Sequence, residues 1–239
     1  MTASRAALTR DSLRLKVTIQ QVRLGGEEYR VISPAKPLKN GAFYETRSSY
    51  DMLVDRPDGR RIGTLLLLAA RSPRSLVYLP MRTTATAPGI GWEDEKPFDL
   101  VLAHRAVQYR PSQWKNLRAR IAAGNAPREV RTASVPETDL AVGASEIEYA
   151  APSDPATRNL LQQHVHAETL FLTGSTTAFR EAASHIFAVV KEGPPAAATR
   201  VYIPGGCNYH VCRSIYHWSD LDAHDWEQLH VEFCPPWSR

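Results

Sequence analysis

Two thiols, Cys207 and Cys212, follow directly on an apolar segment, Val201, Tyr202 and Ile203, that stops at Pro204, Gly205 and Gly206. The spacing predicts a short buried strand over 200–204 with both thiols just beyond its end. Upstream, His166 and Glu168 stand two residues apart. Zn²⁺ takes imidazole nitrogen and thiolate sulfur in a tetrahedral site, and a catalytic site leaves the fourth position to water. His166, Cys207 and Cys212 would supply three ligands. The metal lowers the pKa of bound water towards about 7, and Glu168, next but one to a ligand, would carry the protons. Each piece alone is weak: an H-x-E triplet arises readily by chance, and Cys207 and Cys212 are compatible with ordinary buried thiols. Their conjunction and order carry the metal reading.

That order resembles the cytidine-deaminase-like superfamily, the zinc-dependent nucleobase deaminases that include polynucleotide deaminases and bacterial toxin domains. There an H-x-E motif opens one helix and two Cys ligands follow the next strand at the start of another. CNYHVC fits the longer spacing of the second motif; Pro204-Gly205-Gly206 before Cys207 departs from the usual residues. The resemblance covers at most the last half of the chain. It implies a three-layer α/β domain with a sheet flanked by helices, Zn²⁺ as cofactor, and Glu168 as proton shuttle. Gly206, Asn208, Tyr209 and His210 would face the substrate, with Tyr209 between the thiols and Asn208 and His210 placed to meet a base edge. The helical pattern through His166 starts a turn or more before the motif, unlike the family. His164, two residues away, would point elsewhere on a helix.

The 239 residues are ample for a sizeable core, and 43% hydrophobic with 23% charged residues is ordinary for a globular chain. No run approaches the roughly 18 apolar residues of a spanning helix; the longest is 65–70. The first sixteen residues hold no apolar core followed by a cleavage site, so a cytoplasmic protein without a membrane partner is expected. Three cysteines do not make a disulfide framework. Cys234, alternating with Val231 and Phe233, reads as a structural thiol and as the replacement ligand.

A net charge of +4 hides an asymmetry: residues before Arg128 carry ten more positive than negative charges, the remainder six more negative. Organisation follows the same line. Alternation predicts a strand over 13–24, a hairpin over 50–70 turning at Asp55-Arg56-Pro57-Asp58-Gly59, and strands over 76–81 and 98–103. A helix opens at Pro111 and ends at Gly124, with Trp114, Leu117 and Ile121 on one face. The polar stretch 124–136 is the expected boundary, giving a mainly β, basic region over 1–125 and a deaminase-like domain over 126–239. Within the latter, the pattern predicts a strand over 146–149 and a helix start at 152–155. Helix then runs past His166 to Leu172, and another helix over 176–191 has the stripe Phe179, Ala183, Ile186, Phe187 and Val190. A short helix carries Ile215, and a strand closes the chain over 229–234.

The expected activity is hydrolytic deamination of an amino-substituted base, cytosine in DNA or RNA first, with nucleic acid or a nucleotide as partner. Phosphate backbones are held by Lys and Arg, which the first half supplies. Two alternatives stay open: deamination of a free nucleoside, nucleotide or small heterocycle, and a non-catalytic, zinc-stabilised binding module.

Overall fold

Asp55 accepts a hydrogen bond from the Asp58 amide at 2.7 Å, and Pro57 occupies the first turn, where a missing N–H costs nothing. The Asp-Arg-Pro-Asp-Gly segment is therefore a helix start, and α1 (Arg56–Arg71) replaces the expected second arm of a hairpin. Ile62, Leu65, Leu66, Ala69 and Ala70 are all buried along it. The four-leucine run fits either period, and the aspartate cap decides for helix.

The computed structural model describes residues 13–45, 49–86, 96–140, 161–198, 210–214 and 228–235. Before α1 come β1 (Arg14–Leu24), β2 (Glu27–Pro34), β3 (Gly41–Glu45) and β4 (Ser49–Val54). After it follow β5 (Ser75–Leu79), β6 (Lys96–Pro97), β7 (Asp99–His104), α2 (Trp114–Ala123) and β8 (Arg128–Ser134). The remaining described elements are β9 (Gln162–Val165), β10 (Thr169–Gly174), α3 (Thr176–Ala198), β11 (His210–Ser214) and β12 (Gln228–Phe233).

The strands form a seven-stranded sheet, β8-β1-β2-β5-β7-β10-β9, and a five-stranded sheet, β11-β12-β4-β3-β6. Both are mixed: β2/β5, β7/β10 and β4/β12 run parallel, their other pairs antiparallel. Alternation along β7 assigns the layers. Leu100 and Leu102 join a core with Ile62, Leu66, Ala182 and Ile186 of α1 and α3, which Met52, Val54, Leu229 and Val231 close from the smaller sheet. Val101 and Ala103 face Trp114 and Leu117 of α2. The order is α2, large sheet, α1 with α3, small sheet, a mixed α/β architecture.

Two further expectations change. The helix over 166–172 is instead the turn and second strand of the β9/β10 hairpin, with Leu170, Phe171 and Leu172 all buried. A short apolar run reads as helix or as doubly buried strand, and burial on both faces of the sheet selects strand. The stretch 124–136 holds β8, an exposed edge strand whose polar residues look like linker. Strands from either side of the 125/126 boundary are hydrogen-bonded in both sheets: β8 to β1, β10 to β7 and β12 to β4. The first region holds the seven strands β1–β7 and, besides them, the two helices α1 and α2. The strands 14–24, 75–79, 99–104 and 228–233, the helix ending at Gly124 (φ 70°) and α3 match expectation. The segments 146–149, 152–155 and 200–204, and Ile215, lie outside the described residues.

α1 and α3 meet at two glycines one turn apart. A Cβ on Gly59 would stand 2.4 Å from Val190, and one on Gly63 would stand 2.8 Å from Phe187. Gly→Ala in an open helix gains about 1 kcal/mol, but overpacking a tight contact costs about 1–3 kcal/mol, and the backbone here has no room. Gly59→Ala is expected to lower the urea midpoint. A raised midpoint would mean that the helices move apart freely.

Candidate functional site

His166 and Glu168 sit at the hairpin turn between β9 and β10. The His166 amide donates to the Thr169 carbonyl at 3.0 Å, and Ala167 (φ 50°) and Glu168 (φ 57°) are both left-handed. Consecutive left-handed residues make a hairpin turn that favours Asn-Gly; Ala-Glu is strained there. Tertiary contacts hold it. Arg118 donates to the Ala167 carbonyl at 3.0 Å, the Asp99 amide donates to the Glu168 carbonyl at 3.0 Å, and Arg82 pairs with the Glu168 carboxylate.

Beneath the turn lies Asp99, 2% exposed. Its carboxylate accepts from the Met81 and Arg82 amides at 2.9 and 3.1 Å, from Arg82 Nε at 3.1 Å and from Tyr78 Oη at 3.0 Å. Arg118 approaches it at 3.5 Å. Burial first, and then the Asp99 charge, push the Tyr78 hydroxyl far above the ordinary tyrosine range. Trp114 Nε1 donates to Thr169 Oγ1 at 2.9 Å. The network anchors the turn; Glu168 is exposed, and Arg82, Arg118, His166 and Ala167 are partly so. His164 is exposed on β9 opposite Phe171.

Of the expected zinc ligands, Cys207 lies outside the described residues, as do Gly206, Asn208 and Tyr209. His210 and Cys212 fall on β11. The pairing register runs in one row from Pro97 through Tyr44, Asp51 and His230 to Cys212. Four strand spacings of ~4.8 Å put Cys212 about 19 Å from Pro97, whereas the His166 turn is bonded to β7 immediately after Pro97. The described backbone does not bring His166 and Cys212 together. Among the described residues no group of three His, Cys, Asp or Glu could hold a metal. Cys234 is fully buried with Ala42, Tyr44 and Leu53.

The other end of the same strands brings a second set of side chains together. β7 and β10 are adjacent and parallel, and the chain leaves them for opposite faces: from β7 to the face covered by α2, from β10 into α3 on the other face. In open α/β sheets such a point of divergence, at the carboxyl ends of the strands, is where ligands bind, and it makes this end the candidate crevice. β10 ends at Gly174, and Ser175 caps α3, accepting from the Ala178 amide at 3.1 Å. His104 ends β7. Its Nδ1 accepts from the Ala106 amide at 3.2 Å and its Nε2 lies 3.3 Å from Thr176 Oγ1, while Thr176 Oγ1 is 3.1 Å from the Ala70 carbonyl. An accepting Nδ1 assigns the proton to Nε2, so His104 donates to Thr176 and Thr176 to Ala70. Burial, and then the neighbouring Arg105, hold the His104 pKa below its usual value, in keeping with a neutral ring.

The rim is cationic. Asp139, 5% exposed, takes Arg71 on one oxygen and Arg180 on the other, both at 2.7 Å, leaving one positive charge in surplus. Exposed Arg105 makes no ion pair among the described residues. A signal that could have found this place is Gly174-Ser175-Thr176-Thr177, a glycine break and a Ser cap between strand and helix. His104, Arg105, Asp99, Arg82 and Arg118 left no signal, because strand and helix pairings alone bring them together.

No family model, curated protein or solved structure matches this chain.

The strained turn gives a direct test. Replacing Ala167-Glu168 by Asn-Gly removes left-handed strain of about 1–2 kcal/mol per residue and loses a solvent-exposed ion pair worth about 0–1 kcal/mol. The double substitution is expected to raise the denaturation midpoint. A lowered midpoint would show that the Arg82 pair outweighs the backbone.

Proposed function

We propose that the chain is a binding module for a phosphate-bearing ligand of nucleotide type, held in the crevice at the carboxyl ends of β7 and β10. The divergence of two adjacent parallel strands to opposite faces carries this reading. The first amides of α3 and the positive end of its dipole suit an anion, Arg105 supplies a mobile cation, and Ser175 and Thr177 bring hydroxyls. The neutral His104 would accept no charge from the ligand and holds the floor of the crevice in place. The reading is of a binding site, and it differs from the zinc-stabilised module left open by the sequence in placing the ligand at β7 and β10 instead of at a metal.

Calorimetric titration with inorganic phosphate and with cytidine and adenosine monophosphates tests it. The nucleotides are expected to bind in the range of about 10 μM to 1 mM, and Arg105→Glu to weaken them at least about tenfold through the lost charge-assisted contact. No heat up to about 10 mM, or equal affinity in the variant, would remove the reading.

Zinc-dependent deamination is the second reading, favoured by the order of His166, Glu168, Cys207 and Cys212 in the sequence. Elemental analysis of the purified chain decides it. One zinc per chain, lost in the Cys207→Ala/Cys212→Ala variant, together with amine-to-carbonyl conversion of cytosine substrates abolished by Glu168→Ala, would establish it. A metal-free chain inert towards single-stranded DNA, RNA and cytidine would end it.

A further inference from the structure

At the end of the helix pair opposite the crevice lies a groove of about 1160 Å³. α1 and α3 are antiparallel: Gly59 lies against Val190 near one end, and Ala70 bonds Thr176 at the other. The groove opens at the start of α1 and the end of α3. Its floor is apolar, formed by Leu15, Pro37, Pro57, Pro194, Ala197 and Phe233.

Around this floor stand Lys16, Lys36, Lys39, Arg56 and Arg61. The two carboxylates there, Asp55 and Asp58, are buried and engaged. Asp55 accepts from the Asp58 amide and from Asn40 Nδ2; Asp58 accepts from the Lys39 and Asn40 amides at 2.7 and 2.6 Å and pairs with Arg61 at 2.7 Å. Lys16, Lys36, Lys39 and Arg56 are exposed and make no ion pair among the described residues. An apolar trough rimmed by four uncommitted cations complements an acidic, apolar occupant.

β8 chooses between a peptide and an acyl amphiphile. Val130, 58% exposed, lines the groove, and among the described residues β8 is an edge strand, paired on one side with β1. Its other side offers main-chain donors and acceptors, which a polypeptide can use and an acyl chain cannot. The volume also exceeds the roughly 300–1,000 Å³ of small-ligand pockets.

We propose that this groove docks an acidic peptide segment of a partner protein, its apolar side chains on the proline-rich floor and its carboxylates on Lys16, Lys36, Lys39 and Arg56. This site is separate from the crevice and does not depend on it.

The probe is a fluorescein-labelled peptide of about fifteen residues, glutamate alternating with leucine and phenylalanine, followed by anisotropy with the full chain. Binding at about 10–100 μM is expected, weakened at least about tenfold by Lys36→Glu/Lys39→Glu and by about 0.5 M NaCl, since exposed charge pairs are screened. Arg56→Glu with Lys16→Glu serves as the second variant; it favours the α1 start electrostatically, so a loss there is not a loss of fold. A matching lysine peptide should not bind. The proposal is overturned by no binding, by equal binding to both variants, or by oleate saturating the groove where the peptide does not.

Discussion

The contact between α1 and α3 at Gly59 and Gly63 holds the central layer of the molecule together. These helices form the layer on which both sheets pack, so the distance between their axes sets the width of the surface that each sheet covers. With no side chain at either glycine, Phe187 and Val190 reach the α1 backbone, and the core from Leu100 and Leu102 on one sheet to Met52 and Val231 on the other closes around a residual cavity of about 20 Å³. Interiors at crystal-like density tolerate little change of volume. The same contact fixes how the two ends of the helix pair are presented.

Asp99 does for the sheets what the glycines do for the helices. Where the chain passes from β6 in the small sheet to β7 in the large one, the Phe98 amide bonds the Phe43 carbonyl at 2.8 Å, and the next residue is the buried carboxylate. A buried charge is costly unless its lone pairs are filled. Two backbone amides, a tyrosine hydroxyl and arginines from two other segments fill them. Removing any one donor would therefore disturb the β5 end, the β7 start and the β9/β10 turn together.

The parts of the fold legible in sequence were those whose residues declare themselves locally. β1, β5, β7 and β12 alternate or run apolar; α2 has Pro111 before it and Gly124 after it; α3 shows its stripe. α1 was misread because Asp-x-x-Asp with Pro between serves both as a turn and as a helix cap, and the leucines beyond suit either period. β8 was hidden because an edge strand exposed on both faces carries no burial pattern. The H-x-E triplet shows the other kind of limit. Its two residues lie close in space, but their shared surroundings are Arg82, Arg118 and Asp99, brought there by strands far apart in sequence, so spacing alone could not reveal that Glu168 faces a guanidinium. The candidate crevice was half visible, in the glycine and hydroxyl residues after β10. Its other half, His104 and Arg105, depends on the parallel pairing of β7 with β10.

Antiparallel packing of α1 and α3 also decides how charge is used. Each end of the pair presents one helix start and one helix finish, so beyond the terminal turn, where the first amides of α3 still act locally, the dipoles oppose each other and contribute little net field. The sign at each end then rests on side chains, and both ends are positive: Arg105, Arg71 and Arg180 against Asp139 at one, and Lys16, Lys36, Lys39 and Arg56 at the other. Among the described residues, Arg105 at one place and Lys16, Lys36, Lys39 and Arg56 at the other make no ion pair, while the carboxylates beside them, Asp139, Asp55 and Asp58, are spent on caps and internal pairs. Random placement would leave acids and bases neutralising one another in the concavities as they do elsewhere on a surface. Focused positive potential in a cleft raises the local concentration of anions, and the two clefts differ in what else they offer. The crevice adds hydroxyls and free amides, which suit a compact phosphate. The groove adds proline, phenylalanine and an open strand edge, which suit an extended acidic chain.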